Sequence, residues 1–397
     1  MDLEFSEETK DLKPSATAQI NDRVMEKNKN GADIVNFTVG QPDFTLSEKA
    51  LLIANKLMIS TKGANKYSPV AGIPILRNLI KEKAKREFAG GFFNKNLSEK
   101  NVFISAGGAK QAINMLLRLF LNPFDRVMIF SPYWVSYPEM VKMAVGEPII
   151  FPLFSPSGPL PTIDFSRMEQ VIKREGVKII ILNSPTNPTG RIWREQELII
   201  LGRLALNHKC LVISDEVYDH FIPNSTAYIP MSKIFVHNNF IPVNSFSKTY
   251  ALMGYRIGWV VAEQKVVQGL TAIQSQLSSG GNTFGQMLAA AIMAECGDEI
   301  ELMKNQFERR KKIVLNALCN MKINFCRPEG AFYVFFQAPQ KNGVINSITF
   351  CNELEEVGVA MVPGEESGAP GWVRMCYAAA EQDLVKGLDR MQKFIKQ

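Results

Sequence analysis

The segment Asn244-Ser-Phe-Ser-Lys248-Thr-Tyr-Ala-Leu-Met-Gly-Tyr-Arg256 sets a lysine in a hydroxyl-rich turn after an apolar run, with an arginine eight residues on. A surface lysine and arginine flanking a loop is the plain alternative. Phe246, Tyr250, Leu252, Met253 and Tyr255 crowd the lysine with apolar bulk, however, and that predicts a pocket. Burial disfavours an ammonium and yields a nucleophilic amine, as Schiff-base chemistry requires. Ser245 and Ser247 add hydroxyl donors and Arg256 a guanidinium fork, a set suited to a phosphate.

Three further segments carry polar groups at the ends of apolar runs. In Leu211-Val-Ile-Ser-Asp215-Glu-Val-Tyr218 a carboxylate closes a strand and a phenol follows three residues later. Asp215 reads equally well as the cap of a following helix. Asn183-Ser-Pro-Thr-Asn187-Pro-Thr-Gly190 signals, by itself, only a turn. Ser105-Ala-Gly107-Gly108-Ala109-Lys110 opens a helix after a strand, and its free amides can hold an anion at the positive helix end. It matches neither dinucleotide fingerprint nor P-loop.

The elements that position these groups follow from hydrophobic periodicity. Strands are expected at Asn101–Ser105, Arg126–Phe130, Pro148–Pro152, Val177–Leu182, Cys210–Asp215, Phe240–Asn244 and Ile257–Ala262. Helical patterns lie between them, near 108–120, 133–144, 165–175, 195–207 and 265–279. The alternation predicts an α/β fold, a mostly parallel seven-stranded sheet sandwiched by helices. Ligands of such sheets bind beyond the carboxyl ends of the strands, where Asp215 and Lys248 fall. After about residue 280 one long helix over 283–318 is expected, then strands at Ala331–Phe336, Val359–Val362 and Trp372–Cys376 and a last helix near 382–395. That texture marks a smaller α+β domain. The expected organisation is an N-terminal segment 1–45 packing with the small domain, a large domain 46–281 and a small domain 282–397.

Composition excludes several classes. Apolar residues at 46% and charged residues at 21% are ordinary for a globular chain, so disorder is excluded. The longest apolar run, Met287–Ala294, is far short of the roughly 20 residues of a membrane span. Net charge is +6, but the signs are mixed; the densest cluster, Arg309–Lys312, reads as a solvated helix face rather than a nucleic-acid patch. Six scattered cysteines form no CxxC pair, which argues against a zinc site or a disulfide framework. The acidic opening Met1–Glu8 is not a signal peptide, and a cytoplasmic location is expected. His208, His220 and His237 stand apart, so proton transfer falls to another residue.

Together these segments resemble the class I pyridoxal-phosphate aminotransferases of fold type I, in particular the bacterial aspartate and aspartate/prephenate aminotransferases. The resemblance spans nearly the whole chain. It runs through Leu12-Lys-Pro-Ser-Ala-Thr17, Gly40-Gln-Pro-Asp-Phe44, Lys66-Tyr67-Ser-Pro-Val-Ala-Gly-Ile-Pro74, Ser131-Pro-Tyr-Trp134-Val-Ser-Tyr137-Pro and Val373-Arg374-Met-Cys-Tyr377, besides the segments above.

The resemblance implies roles. Lys248 would hold pyridoxal 5'-phosphate as a Schiff base and carry the proton, with Asp215 on the pyridine nitrogen, Tyr218 and Asn187 at the ring hydroxyl and Trp134 stacked on the ring. Gly108, Ala109, Ser245, Ser247 and Arg256 would hold the phosphate. Tyr67 would reach the phosphate of the neighbouring subunit, which implies a homodimer with shared sites. Arg374 would clamp the substrate α-carboxylate together with the amide of Gly40. Lys110 would read a distal carboxylate, and Lys13 near the mouth is associated with prephenate. One departure stands out. Glu365 and Ser367 sit where relatives carry an apolar or aromatic residue, which leaves open how the loop before Arg374 packs.

The implied reaction is L-aspartate with 2-oxoglutarate, giving oxaloacetate and L-glutamate by a ping-pong cycle. The same chemistry on prephenate, aromatic or alanine-type substrates is the nearer alternative. A cofactor-binding regulatory domain is the more distant one.

Overall fold

The computed structural model describes residues 10, 12–60, 63–87, 97–155, 157–159, 162–223, 226, 228–234, 238–340 and 343–396. The acidic stretch Met1–Glu8 and His237 lie outside the described residues.

All seven expected strands join one sheet. Its order is Val102–Ser105, Gly258–Val261, Phe240–Ser245, Leu211–Asp215, Val177–Asn183, Arg126–Ser131 and Glu147–Pro152. Only Gly258–Val261 runs antiparallel to its neighbours. The parallel strands are apolar on both faces, as helix-covered strands must be. Ile179 and Ile181 point into the core under the helices Gly108–Phe120 and Gln264–Leu277. Ile180 and Leu182, on the opposite face, pack beneath Phe165–Glu175 and Glu195–Asn207. The parallel register pairs Asn183 with Asp215 and Asp215 with Val243, so polar groups gather along one sheet edge.

The second half departs from expectation in three places. The long helix over 283–318 is two helices, Thr283–Glu295 and Gly297–Asn320, broken at Cys296. Gly297 follows the break, and Asp298 and Glu299 favour a fresh positive helix end there. The expected strand Val359–Val362 splits: Val359–Ala360 pairs in parallel with Val35–Asn36, while Val362–Pro363 pairs with Trp372–Cys376. The Arg309–Lys312 cluster is not wholly solvated. Arg310 lies on the same helical stripe as Phe307 and Val314, is 5% exposed, and grips Asp43 through two bonds of 2.6 and 2.9 Å.

The smaller antiparallel sheet runs Phe325–Cys326, Tyr333–Gln337, Trp372–Cys376, Val362–Pro363. Left-handed Ala331 (φ 58°) delays the start of the Tyr333 strand relative to expectation. The N-terminal helix Ala16–Lys29 belongs with this sheet, for Arg23 and Lys27 both reach buried Glu355, at 2.5 and 2.9 Å. Among the described residues no helix is long and apolar enough to cross a membrane.

Candidate active site

Beyond the carboxyl edge of the large sheet lies a cavity of about 280 Å³. It is lined from the large sheet by Asn183, Asp215, Ser245 and Lys248, and from the smaller sheet by Tyr333 and Arg374.

Asp215 ends its strand with 3% exposure. Its Oδ2 accepts 2.6 Å from Tyr137 Oη, and its Oδ1 accepts 3.3 Å from the Val217 amide. Burial nevertheless pushes the carboxyl up to about 6. Asp215 is therefore no helix cap: residues 216–223 form turns, not a helix. Lys248 lies in the short helix Phe246–Thr249, and its amine donates to the Gly40 carbonyl. Burial, with Arg256 and Arg374 nearby, brings that amine down to about 8. A carboxyl drawn up and an amine drawn down in one cavity are the mark of a site for proton transfer.

Beside Lys248 the Gly107–Gly108 turn and Arg256 are tied together. Gly108 donates its amide to the Arg256 carbonyl at 3.0 Å, and Arg256 Nη2 donates to Gly107 O at 2.8 Å. A Cβ on Gly258 would come within 2.4 Å of Gly108 C, so only glycine lets the two backbones meet. Arg256 itself is left-handed (φ 57°), a conformation costing about 1–3 kcal/mol that the packing around it sustains. Ala109, Ser245, Ser247 and Arg256 all line the cavity here.

At the other end, Arg374 is 3% exposed, with Nη1 donating to Asn187 Oδ1 at 3.3 Å and Nη2 to the Thr38 carbonyl and Thr17 Oγ1. Its Nε is buried without a partner among the described residues. The Tyr333 ring lies 5.0 Å under the guanidinium, and Tyr333 Oη meets Tyr218 Oη at 2.8 Å. Gly40 packs against the same ring; a Cβ there would strike Tyr333 Oη. Trp134, in the loop before the helix Ser136–Met143, lines the cavity and carries the Lys110 ammonium 5.2 Å over its ring. Burial and the charge of Arg256 pull the Lys110 amine below its ordinary value.

The structure thus gathers Gly40, Ala109, Lys110, Trp134, Asn187, Asp215, Tyr218, Ser245, Ser247, Lys248, Arg256 and Arg374 around one cavity, with Gly108 behind Arg256. Lys13 stands apart, lining an adjoining mouth of about 410 Å³ together with Lys110, Glu139 and Glu366. Tyr67 is 89% exposed and does not line the cavity. Glu365 lines the adjoining mouth but not the main cavity, and both its carboxylate oxygens accept from Ser347 Oγ at 2.6 Å, while one accepts from the Gly371 amide at 3.2 Å. The acidic departure therefore fastens its own loop. Tyr137, Tyr333, Thr17 and Thr38 join the site without having been expected there. Tyr137 alone carries a signal in the sequence, three residues after Trp134 on one helical turn.

The chain is similar to known proteins over nearly its whole length. The family described as aminotransferase class I and II matches residues 32–390. A probable aspartate/prephenate aminotransferase of Thermus aquaticus is 34% identical over 99% of both chains. The aspartate aminotransferase of Bacillus subtilis is 32% identical over 97% of both. Among solved structures, the aspartate aminotransferase of Thermus thermophilus with maleate superposes with a TM-score of 0.89 at 31% identity, covering 99% of this chain and 100% of that one. That from Thermotoga maritima gives 0.88 at 30% identity with the same coverage. Family match, full-length relatives and the cavity at the sheet edge agree, and the chain belongs to the class I and II aminotransferases.

Proposed function

We propose that this enzyme transfers the amino group of L-aspartate to 2-oxoglutarate, on pyridoxal 5'-phosphate held at Lys248, in a ping-pong cycle. The observation that carries the reading is the opposition, across one cavity, of the Lys248 amine brought down to about 8 and the buried Arg374 with its orphaned Nε. An orphaned buried donor asks for an anion, and a substrate carboxylate supplies it.

The residues fit the cofactor. The Ala109 amide, the Ser245 and Ser247 hydroxyls and the Arg256 fork are a donor set for a phosphate, while the Gly108 amide is held by the Arg256 carbonyl and the close backbone approach at Gly258 leaves no room for a side chain. Asp215 would hold the protonated ring nitrogen, Tyr218 and Asn187 the ring hydroxyl, and Trp134 one face. When bound, the group would supply an electron sink for the substrate carbon. Lys248, partly neutral near pH 8, takes the proton from the substrate Cα and returns it. Arg374 fixes the α-carboxylate, and Gly40 offers its amide beside it. With its Tyr333 strand in the small sheet, Arg374 can draw that sheet down over the substrate and exclude water.

Lys110 is the cation available for a distal carboxylate. The Thermus thermophilus structure named with maleate, itself a dicarboxylate, supports that choice. Prephenate as a second acceptor is favoured by Lys13 and Lys110 sharing the mouth. The working form we infer is a homodimer. Fully exposed Tyr67 is held outward, where Thr283 Oγ1 donates to Lys66 O at 2.5 Å and Ser68 Oγ to Gly281 O at 3.1 Å. Exposed Leu52, Met58 and Ile59 on the helix Glu48–Ser60 offer an apolar face to a second copy. Cytoplasm is the compartment we infer, since none of the six cysteines is paired. Profiling amino donors against 2-oxoglutarate, after loading with pyridoxal phosphate, tests the reading. A protein that takes up no pyridoxal phosphate, or loads but transfers from no dicarboxylic donor, would overturn it.

A further inference from the structure

Behind the site, on the side away from the cavity, the strand end that carries Asp215 and the turn that carries Lys248 are tied together by a buried polar relay. Asp219 Oδ2 accepts 2.9 Å from Asn244 Nδ2, which also donates 3.0 Å to the Glu216 carbonyl. Asn244 Oδ1 in turn accepts 2.7 Å from the Ser245 amide. In parallel, Asp219 Oδ1 lies 2.6 Å from His220 Nδ1, itself 3.5 Å from Thr249 Oγ1. The counter-ion is Lys83, 7% exposed, whose Nζ stands 3.5 Å from Asp219 Oδ2 and also donates to Glu87.

We propose that Asp219 is a positioning residue: paired with His220 and Lys83, it holds Asn244, and through it fixes the entry of the Ser245–Thr249 turn against the Asp215–Tyr218 segment. Asn244 immediately precedes Ser245, Ser247 and Lys248, so the entry to the turn is held from one carboxylate. A largely buried carboxylate kept with His220 at 2.6 Å and Lys83 at 3.5 Å contributes more to register than to stability. Lys83, His220 and Asn244 keep Asp219 ionised far below the carboxylate range despite burial. Besides these, Glu87, Glu216, Tyr228 and Tyr250 face it. No direct charge effect on Lys248 is involved, since its amine answers to Cys376, Arg256, Arg374 and Asp215.

This inference rests on Lys248 being the reactive amine, and its test is independent of catalysis. Trace acetylation of cofactor-free protein across neutral and alkaline pH, with Lys248 followed by mass spectrometry, reads the titration of that amine. The wild-type midpoint is expected near 8. In Asp219→Asn the loosened turn lets water reach Lys248, so the midpoint moves up toward 10.5. At neutral pH the labelling of Lys248 falls about tenfold each time the midpoint climbs by one on the pH scale. Asp219→Glu, which keeps the charge, should restore most of the wild-type midpoint. A purely coulombic role predicts the opposite sign, because deleting a carboxylate lowers a nearby amine. A midpoint unchanged or lowered in Asp219→Asn overturns the proposal, whatever happens to its melting temperature. If Asp219→Asn does not fold, Asn244→Ala, which cuts the arm from Asp219 to Ser245, decides by the same readout. If wild-type protein binds no pyridoxal phosphate, the functional reading falls, while the labelling comparison still decides the brace.

Discussion

The phenol of Tyr137 donates a 2.6 Å hydrogen bond to Asp215 Oδ2 inside a buried strand end, and its ring stands edge-on to Trp134 at 5.3 Å. One side chain thus joins the carboxylate at the bottom of the cavity to the aromatic at its side. The bond opposes burial in setting the charge of Asp215: burial raises its pKa, and Tyr137 is the strongest counterweight. Burial keeps the phenol itself protonated, hence a donor.

Tyr137→Phe should therefore raise the Asp215 pKa above its value of about 6. Activity at neutral pH falls and recovers as pH rises, with the acid limb of the kcat/KM profile displaced upward. The loss is about 1.5–3 kcal/mol, the scale of a hydrogen bond to a charged group. A limb that stays in place would reduce Tyr137 to a space-filler.

Lys248 carries a stability cost with a definite pH window. Its amine titrates near 8 in the fold against 10.5 for the free side chain, so the unfolded chain binds more protons between those values. Stability then climbs with pH across that window. Below it the fold bears the full cost of a buried ammonium, at most about 3 kcal/mol. Cofactor-free Lys248→Met should melt higher than wild type at pH 7, with the gain vanishing above pH 10.5. Equal melting temperatures at neutral pH would contradict the buried-ammonium account.

The large sheet is legible in the sequence because each parallel strand is apolar on both faces and bounded by turn residues, as in Val177–Asn183. Lys248 and Asp215 stand out in the sequence as polar groups closing apolar runs, but a surface lysine and a helix-capping aspartate read the same way until the sheet brings both to one cavity. The role of Tyr137 is not legible, since its partner Asp215 is 78 residues away and no local pattern encodes that pairing. Arg310 defeats a local reading for a related reason. A charge run looks solvated until Asp43, 267 residues distant, arrives to satisfy one of its members. The helix break at Cys296 is hidden because apolar periodicity continues across it from Ile292 to Ile300.

If Tyr67 serves the neighbouring subunit, sharing can be counted. A mixed dimer of Tyr67→Phe and Lys248→Ala subunits would keep one site with both residues intact and one with neither. Such dimers should retain cofactor at one site with wild-type affinity and about half the activity per dimer, by simple site counting. Weakened retention at the remaining site would mean that each chain supplies its own Tyr67.

Lys110 tests the choice of substrate. It stands at the cavity mouth on the first turn of the helix Gly108–Phe120, over the Trp134 ring and in one cavity with Arg256. Burial and Arg256 lower its pKa, yet no acidic partner holds it among the hydrogen bonds and ion pairs of the described residues. A distal carboxylate arriving there gains a charge-assisted bond, and the lysine loses an unfavourable neighbour interaction. Lys110→Ala should therefore raise the KM for aspartate and glutamate by about tenfold or more, the scale of about 1.5–3 kcal/mol for one charged hydrogen bond. Alanine and phenylalanine, which have no second carboxylate, should be affected little. The kcat for alanine should also hold, because Lys248 and Asp215 remain in place. Steady-state kinetics on the four donors at fixed 2-oxoglutarate makes the comparison. An equal, small effect on all four would show that Lys110 does not read the distal carboxylate, and the dicarboxylate preference would have to arise from another cation at the mouth, Lys13 being the one that lines it.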